Sequence, residues 1–169
     1  MSYRGVRGFL YLAVLAVVPL QGETPVTFRG SGGWCYGERY DQHFSTERQE
    51  LFFGNVENID TVTPYPGMAL GIKLDLRTEN DELLTVHLGP AWYILYQNWD
   101  LEADERYVGV KGCRTSINGK MVIMATLVGN APEGEVADGD QALWEHGEVQ
   151  RLRDEDGIPY WCAWRPRLE

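Results

Sequence analysis

Long apolar runs are scarce in this chain of 169 residues. The longest spans Phe9 to Leu20 and falls short of the roughly 17–25 residues that a membrane-crossing helix needs. Basic residues are scarce too: 15 Lys and Arg stand against 25 Asp and Glu, for a net charge of −10. Phosphate backbones are bound by Lys and Arg that neutralise them, so nucleic acid is not an expected partner. With three histidines and three cysteines, the chain has no C-x-x-C, no H-E-x-x-H, no G-x-S-x-G and no P-loop. Gly30, Gly32 and Gly33 do not complete G-x-G-x-x-G, because Cys35 holds its last position.

What is present suits a globular protein. Hydrophobic residues make up 44% and aromatic residues 12%, and a chain of this length can hide roughly two-thirds of its unfolded surface. Arg4 and Arg7 precede the Phe9–Leu20 run, the outline of an export signal over residues 1–22. Cleavage is expected after Gly22, with an uncut anchor as the alternative. The folded part is therefore expected in the periplasm or cell envelope, touching membrane only through this segment if it is retained. Such a compartment permits disulfides. Cys35 in "GGWCYGE" and Cys162 in "YWCAW" are the favoured pair, with three free thiols as the competing reading and Cys113 set within a strand.

Residues 50–130 read as five strands and a helix. "ELFFGNVENIDTVTP" places Phe52, Gly54 and Val56 on one side, then slips phase to Ile59, as a strand does when it bends through a bulge. In "GMALGIKLDLRT", Leu70, Ile72, Leu74 and Leu76 alternate with Gly71, Lys73, Asp75 and Arg77, which predicts one dry face. "LLTVHLG" returns with Leu84, Val86 and Leu88 inward. Pairing about Asn80 sets Leu74 beside Val86, Ile72 beside Leu88 and Lys73 across from His87. Pro90 suits a first helical turn, and Trp92, Leu95, Tyr96 and Trp99 then fall at i, i+3, i+4 and i+7. That stripe predicts an inward-facing aromatic plug over 90–99. Asn118-Gly119 marks a hairpin, with Val108 and Val110 inward before it and an apolar strand from Met121 to Val128 after it.

Bent strand, hairpin, helix and hairpin, in that order, predict an all-β, five-stranded OB-fold-like Greek-key barrel with its helix between strands 3 and 4. Irregular extensions flank it: an arm over 23–49, and an acidic loop with a C-terminal segment over 131–169. In the latter, Asp156-Gly157 predicts a turn that folds Tyr160 and Trp161 back.

"VTPYPGMALGIKLDLRT", "VHLGPAWYI", "INGKMVIMATLV" and "LRDEDGIPYW" together resemble exported bacterial domains grouped with the magnetosome proteins MamS and MamX, over roughly residues 34 to 161. The resemblance implies a small OB-like module without enzymatic activity of its own, joined in some members to haem-binding segments. Here the chain departs from those members, since it has no C-x-x-C-H for covalent haem.

Candidate ligand-binding residues are Lys73, Asp75, Thr85, His87 and Trp92, because the outer face of strands two and three commonly holds ligands in OB-folds. Lys73 opposite His87 disfavours the imidazolium and leaves a neutral ring. His43, His87 and His146 are far apart in sequence, and "DEDG" at 154–157 lacks the remainder of a calcium loop, so no metal site and no cofactor are expected. The expected function is a non-enzymatic exported module that binds an envelope protein partner or a small ligand. The alternatives are a metal-handling or redox-accessory role through His87 and, against the charge, oligonucleotide binding.

Overall fold

A computed structural model of the protein describes residues 32–97, 107–131 and 149–162. Residues 1–22, expected to form an export signal, together with Trp99, His146 and the acidic run 133–148, lie outside the described residues. Six strands form one sheet: β1 (Gln49–Val62), β2 (Gly71–Thr78), β3 (Leu83–Pro90), β4 (Tyr107–Ile117), β5 (Lys120–Asn130) and β6 (Val149–Arg151). Between β3 and β4 lies α1 (Ala91–Ile94), which tightens into a 3-10 turn at Leu95–Gln97. Neighbours run β3-β2-β1-β4-β5-β6, and a further pairing joins β3 to β5. The five long strands thus form a closed circuit, antiparallel except where Val86 and His87 run parallel to Ile123 and Met124.

The length of β1 makes this circuit feasible. Its first half pairs with β4 and its second with β2, and the hand-over falls at Gly54 and Asn55, which pair on both sides. A Cβ on Gly54 would sit 2.1 Å from the Arg77 carbonyl oxygen, so no larger residue lets the two flanks close on β1 here. The phase slip expected before Ile59 is a bulge between Val56 and Asn58. Asn118 and Gly119 take φ of 50° and 75°, the two positive values that a tight hairpin turn needs.

Inside the circuit Leu74, Leu76, Val86, Leu88, Val108, Val110, Ile123 and Val128 are buried. Leu74 stands opposite Val86 and Leu76 opposite Leu84. The expected pairing of Ile72 with Leu88 is corrected: a register shift between Ile72 and Lys73 sets Ile72 against Gly89. Leu70 was expected inward, but it precedes β2 and is half exposed.

The aromatic plug also needs correction. Ile94 is the residue of α1 that is fully buried, whereas Trp92, Leu95 and Tyr96 face outward, Tyr96 at 83% exposure. The Ala91 N–H donates to the Leu70 carbonyl at 2.8 Å, which turns the Ala91–Ile94 side toward the sheet. Closure at this end comes instead from Trp34 of the arm and Trp161 of the tail. Their rings lie over Gly71 and Gly89, where a Cβ would approach them to 2.2 and 2.7 Å. The Trp161 Nε1–H donates to the Trp34 carbonyl, and the Trp34 Nε1–H to the Ala69 carbonyl, both at 2.8 Å.

Arm and tail meet in a polar seam as well. Arg153 Nη1 donates to Asp41 Oδ1 at 2.6 Å and to the Gly157 carbonyl at 2.8 Å. The other Asp41 oxygen accepts the Gly37 N–H at 2.9 Å. Arg153 stacks over Phe44 at 4.1 Å, and both partners of the ion pair are buried.

Candidate functional site

Strand alternation sends Thr85 and His87 to the outer face of β3, opposite Asp75 and Lys73 of β2. That face would be wet were it not for the arm. Tyr40 immediately precedes a 3-10 turn at Asp41–His43, and its ring lies parallel to the imidazole, with centroids 6.0 Å apart. Trp34 packs on Tyr40 in turn. Beneath this cover His87 is only 4% exposed.

Two interactions define the imidazole. The Tyr40 hydroxyl lies 3.2 Å from His87 Nδ1, and this is the hydroxyl's only hydrogen-bond partner among the described residues. Burial raises the Tyr40 phenol above its ordinary range and keeps it protonated. A buried hydroxyl proton needs an acceptor, so Tyr40 donates to Nδ1 and the ring proton is assigned to Nε2. Burial, followed by the Lys73 ammonium, lowers the His87 pKa to about 4, with Asp75 opposing. The ring is therefore neutral at pH 7, with Nε2–H as a donor that has no partner among the described residues.

A cavity of about 340 Å³ opens beside this ring, lined by Val62, Lys73, Thr85, His87, Lys120 and Met121, together with Ile117, Asn118, Val122 and the β1 exit. The Asn118 side chain donates to the Pro64 carbonyl at 2.6 Å and fixes the β4–β5 hairpin tip against that exit. Behind the lining, Asp75 accepts from Lys73 Nζ at 2.7 Å, Thr85 Oγ1 at 3.1 Å and Asn58 Nδ2 at 3.3 Å. Burial works against its ionisation, but the hydrogen bonds from Lys73 and Asn58 outweigh that and hold the carboxyl below its usual range.

Of the five candidate residues, Lys73, Thr85 and His87 line one cavity and Asp75 organises two of them. Trp92 does not line it; it stands on the outward side of α1 against Tyr93. His43 is engaged by the Tyr65 hydroxyl at 2.8 Å. Asp154 of "DEDG" accepts the backbone N–H groups of Asp156 and Ile158, the bonding of a polar turn. Among the described residues no three His, Cys, Asp or Glu side chains gather as a metal site would require. Tyr40, Asn118 and Lys120 went unpredicted. Asn118-Gly119 signalled a turn but not what the turn would face, and Tyr40 sits in an arm without periodicity.

Cys35 and Cys162 are brought together. Their side chains are hydrogen-bonded to each other, the Tyr36 N–H donates to Cys162 Sγ at 3.2 Å, and no disulfide joins them. Burial raises both thiols above their ordinary range; in Cys35 the hydrogen bond with Cys162 partly offsets it. Cys113 is fully buried in β4.

A model described as the MamS/MamX magnetosome protein family matches residues 48–132, from the start of β1 to just past β5. No curated protein and no solved structure matches the chain.

Proposed function

Since this match covers half of its length, the chain belongs to the MamS/MamX magnetosome protein family, and on that premise we propose that it is an exported binding module of the OB-fold type, serving an envelope protein partner or small ligand without performing chemistry on it. The barrel reading is supported by the closed circuit of five strands, with α1 between β3 and β4. The reading of export rests on the leader-like residues 1–22; among the described residues no helix is long and apolar enough to cross a membrane.

One observation carries the binding role: a cavity beside a buried, neutral imidazole whose Nε2–H has no partner among the described residues. The same tautomer speaks against the metal-handling alternative that uses His87, and against general-base catalysis by the ring. Metal coordination at Nε2, or proton abstraction by it, would require that nitrogen to be bare. The ring proton would then move to Nδ1, and the buried Tyr40 hydroxyl would lose its acceptor.

Capture from an envelope extract tests the proposal, with the wild-type chain compared against Thr85→Trp, which fills the cavity. A partner or ligand retained by the wild type and lost by the variant is the expected result. Retention that is indifferent to the filled cavity would remove this face as the binding site.

A further inference from the structure

We propose that the cavity beside His87 takes a carboxylate carried on a short apolar body, with the carboxylate on the Nε2–H and the body against the hairpin. The inference rests on the binding role assigned to this face and specifies its ligand.

The charges around the cavity are the first ground. In a chain with 25 acidic and 15 basic residues, its lining holds Lys73 and Lys120 and no carboxylate. Of the two other cavities described, one is lined by Glu79 and Glu82 without a cation, and the other mixes Lys111, Arg151 and Arg153 with Asp154 and Glu155. The nearest acid, Asp75, already accepts three side-chain donors from behind the lining. An ammonium carries three donors, and Lys73 commits one of them to Asp75.

The second ground is the donor itself. His87 is buried to more than nine-tenths, lines the cavity, and offers one N–H that the described residues leave unused. A donor facing a cavity favours an acceptor, and an ionised acceptor more strongly than a neutral one. Tyr40 pins Nδ1 from the other side, which keeps the ring proton of the free chain on Nε2.

Shape is the third. Val62, Ile117, Met121 and Val122 supply apolar wall on the hairpin side. About 340 Å³ lies at the small end of ligand cavities, which suits a body of a few carbons. Such a group reaches the site either as a free small acid or as the C-terminal residue of a peptide.

The test follows the imidazole nitrogens of His87 by NMR in the full chain, titrated with four probes: hexanoate, hexanamide, the tripeptide Ala-Val-Leu with a free C-terminus, and the same tripeptide amidated. The free chain should show Nε2 protonated and Nδ1 bare. The two acids should shift the Nε2 resonance, and the two amides should bind at least ~10-fold more weakly, the ratio expected when an ionised acceptor is replaced by a neutral one. Lys73→Met should weaken the acids by a similar factor while leaving the amides alone. Tighter binding of the peptide acid assigns the source to a protein C-terminus, and tighter binding of hexanoate to a free acid. The proposal is overturned if acids and amides bind alike, if neither acid perturbs His87 at about 10 mM, the weak limit of a specific small-ligand site, or if Nε2 is bare in the free chain. His87→Gln, which keeps a side-chain N–H, serves should His87→Ala not fold. Loss of the carboxylate effect alongside cavity-dependent capture would reject only the ligand class; loss of both would reject the binding role as well.

Discussion

Two regions of this molecule are held by opposite means. The strand circuit is closed by apolar side chains in register, with Leu76 and Val110 at zero exposure. The seam between arm and tail is closed by polar contacts: a buried Arg153–Asp41 pair, the Trp161 N–H bond to the Trp34 carbonyl, and two adjacent thiols. Apolar burial tolerates small errors of placement, whereas a buried ion pair is favourable only when every partner is in position. The circuit thus supplies stability, and the seam specifies where the arm lies. That matters to function, because the arm carries Tyr40 and so sets the tautomer of His87.

The largest effect should come from covalently locking the seam. Equilibrating the purified chain with a glutathione disulfide buffer is expected to join Cys35 to Cys162 and leave Cys113 free, as non-reducing peptide mapping would show. The gain should be about 4–5 kcal/mol in the chain-entropy picture, since the closed loop exceeds a hundred residues. A mixed pairing, or a locked chain no more stable than the reduced one, would mean the seam is looser than it is drawn.

Asp41→Ala is expected to cost about 3–5 kcal/mol in urea unfolding, because it strands the Arg153 guanidinium in a dry site. Adding Arg153→Met should recover much of that loss, which separates the penalty of a stranded charge from the worth of the pair. In the circuit, Leu76→Ala should cost about 2–5 kcal/mol, and no second substitution elsewhere should rescue it.

A pH titration probes the point where the two regions touch. His87 has a folded pKa of about 4 against 6.5 unfolded. Above pH 6.5 neither state binds this proton. As the pH falls toward 4 the unfolded chain binds it and the folded chain does not, so stability is lost across that window, by about 3 kcal/mol in all. Subtracting the same titration of His87→Gln isolates the effect, and curves that run parallel between pH 6.5 and 4 would contradict the buried, neutral ring. At the small end, Glu57→Gln removes one of two acidic partners of Arg77, and the unfolding midpoint should not move, as is usual for exposed pairs.

Sequence reasoning reached the circuit and, of the seam, the approach of Cys35 to Cys162 and the return of Trp161, but not the Arg153–Asp41 pair or the place of Trp34, for a physical reason. Alternation in β2 and β3 displays which side of each residue is dry, so the facing of Leu74, Val86 and His87 was legible, as was Lys73 across from His87. The bulge at Ile72 was not, because the alternation of β2 runs through it without a phase break, and Gly71 and Gly89 beside it signal strand ends equally well. Trp92, Leu95 and Tyr96 do form a helical stripe, but periodicity shows only that residues share a side, not that the side is buried. Trp34 and Trp161 close that end from 127 positions apart, in segments without any period. The cavity was half legible: β2 and β3 announced Lys73, Thr85 and His87, while Tyr40 and Lys120 arrive through tertiary contacts that leave no local trace.

The hydrogen bond from Trp161 to Trp34 also orders events in time. A ribosome makes Trp34 long before Trp161, so for most of synthesis the arm has nothing to dock against, and Gly71 and Gly89 remain uncovered. The finished state is reached only when some of the last-made described residues return to the first, a contact of very large sequence separation that makes for slow final closure. Until that return is made, the end of the circuit over Gly71 and Gly89 stays open, so this contact is the one that locks the fold.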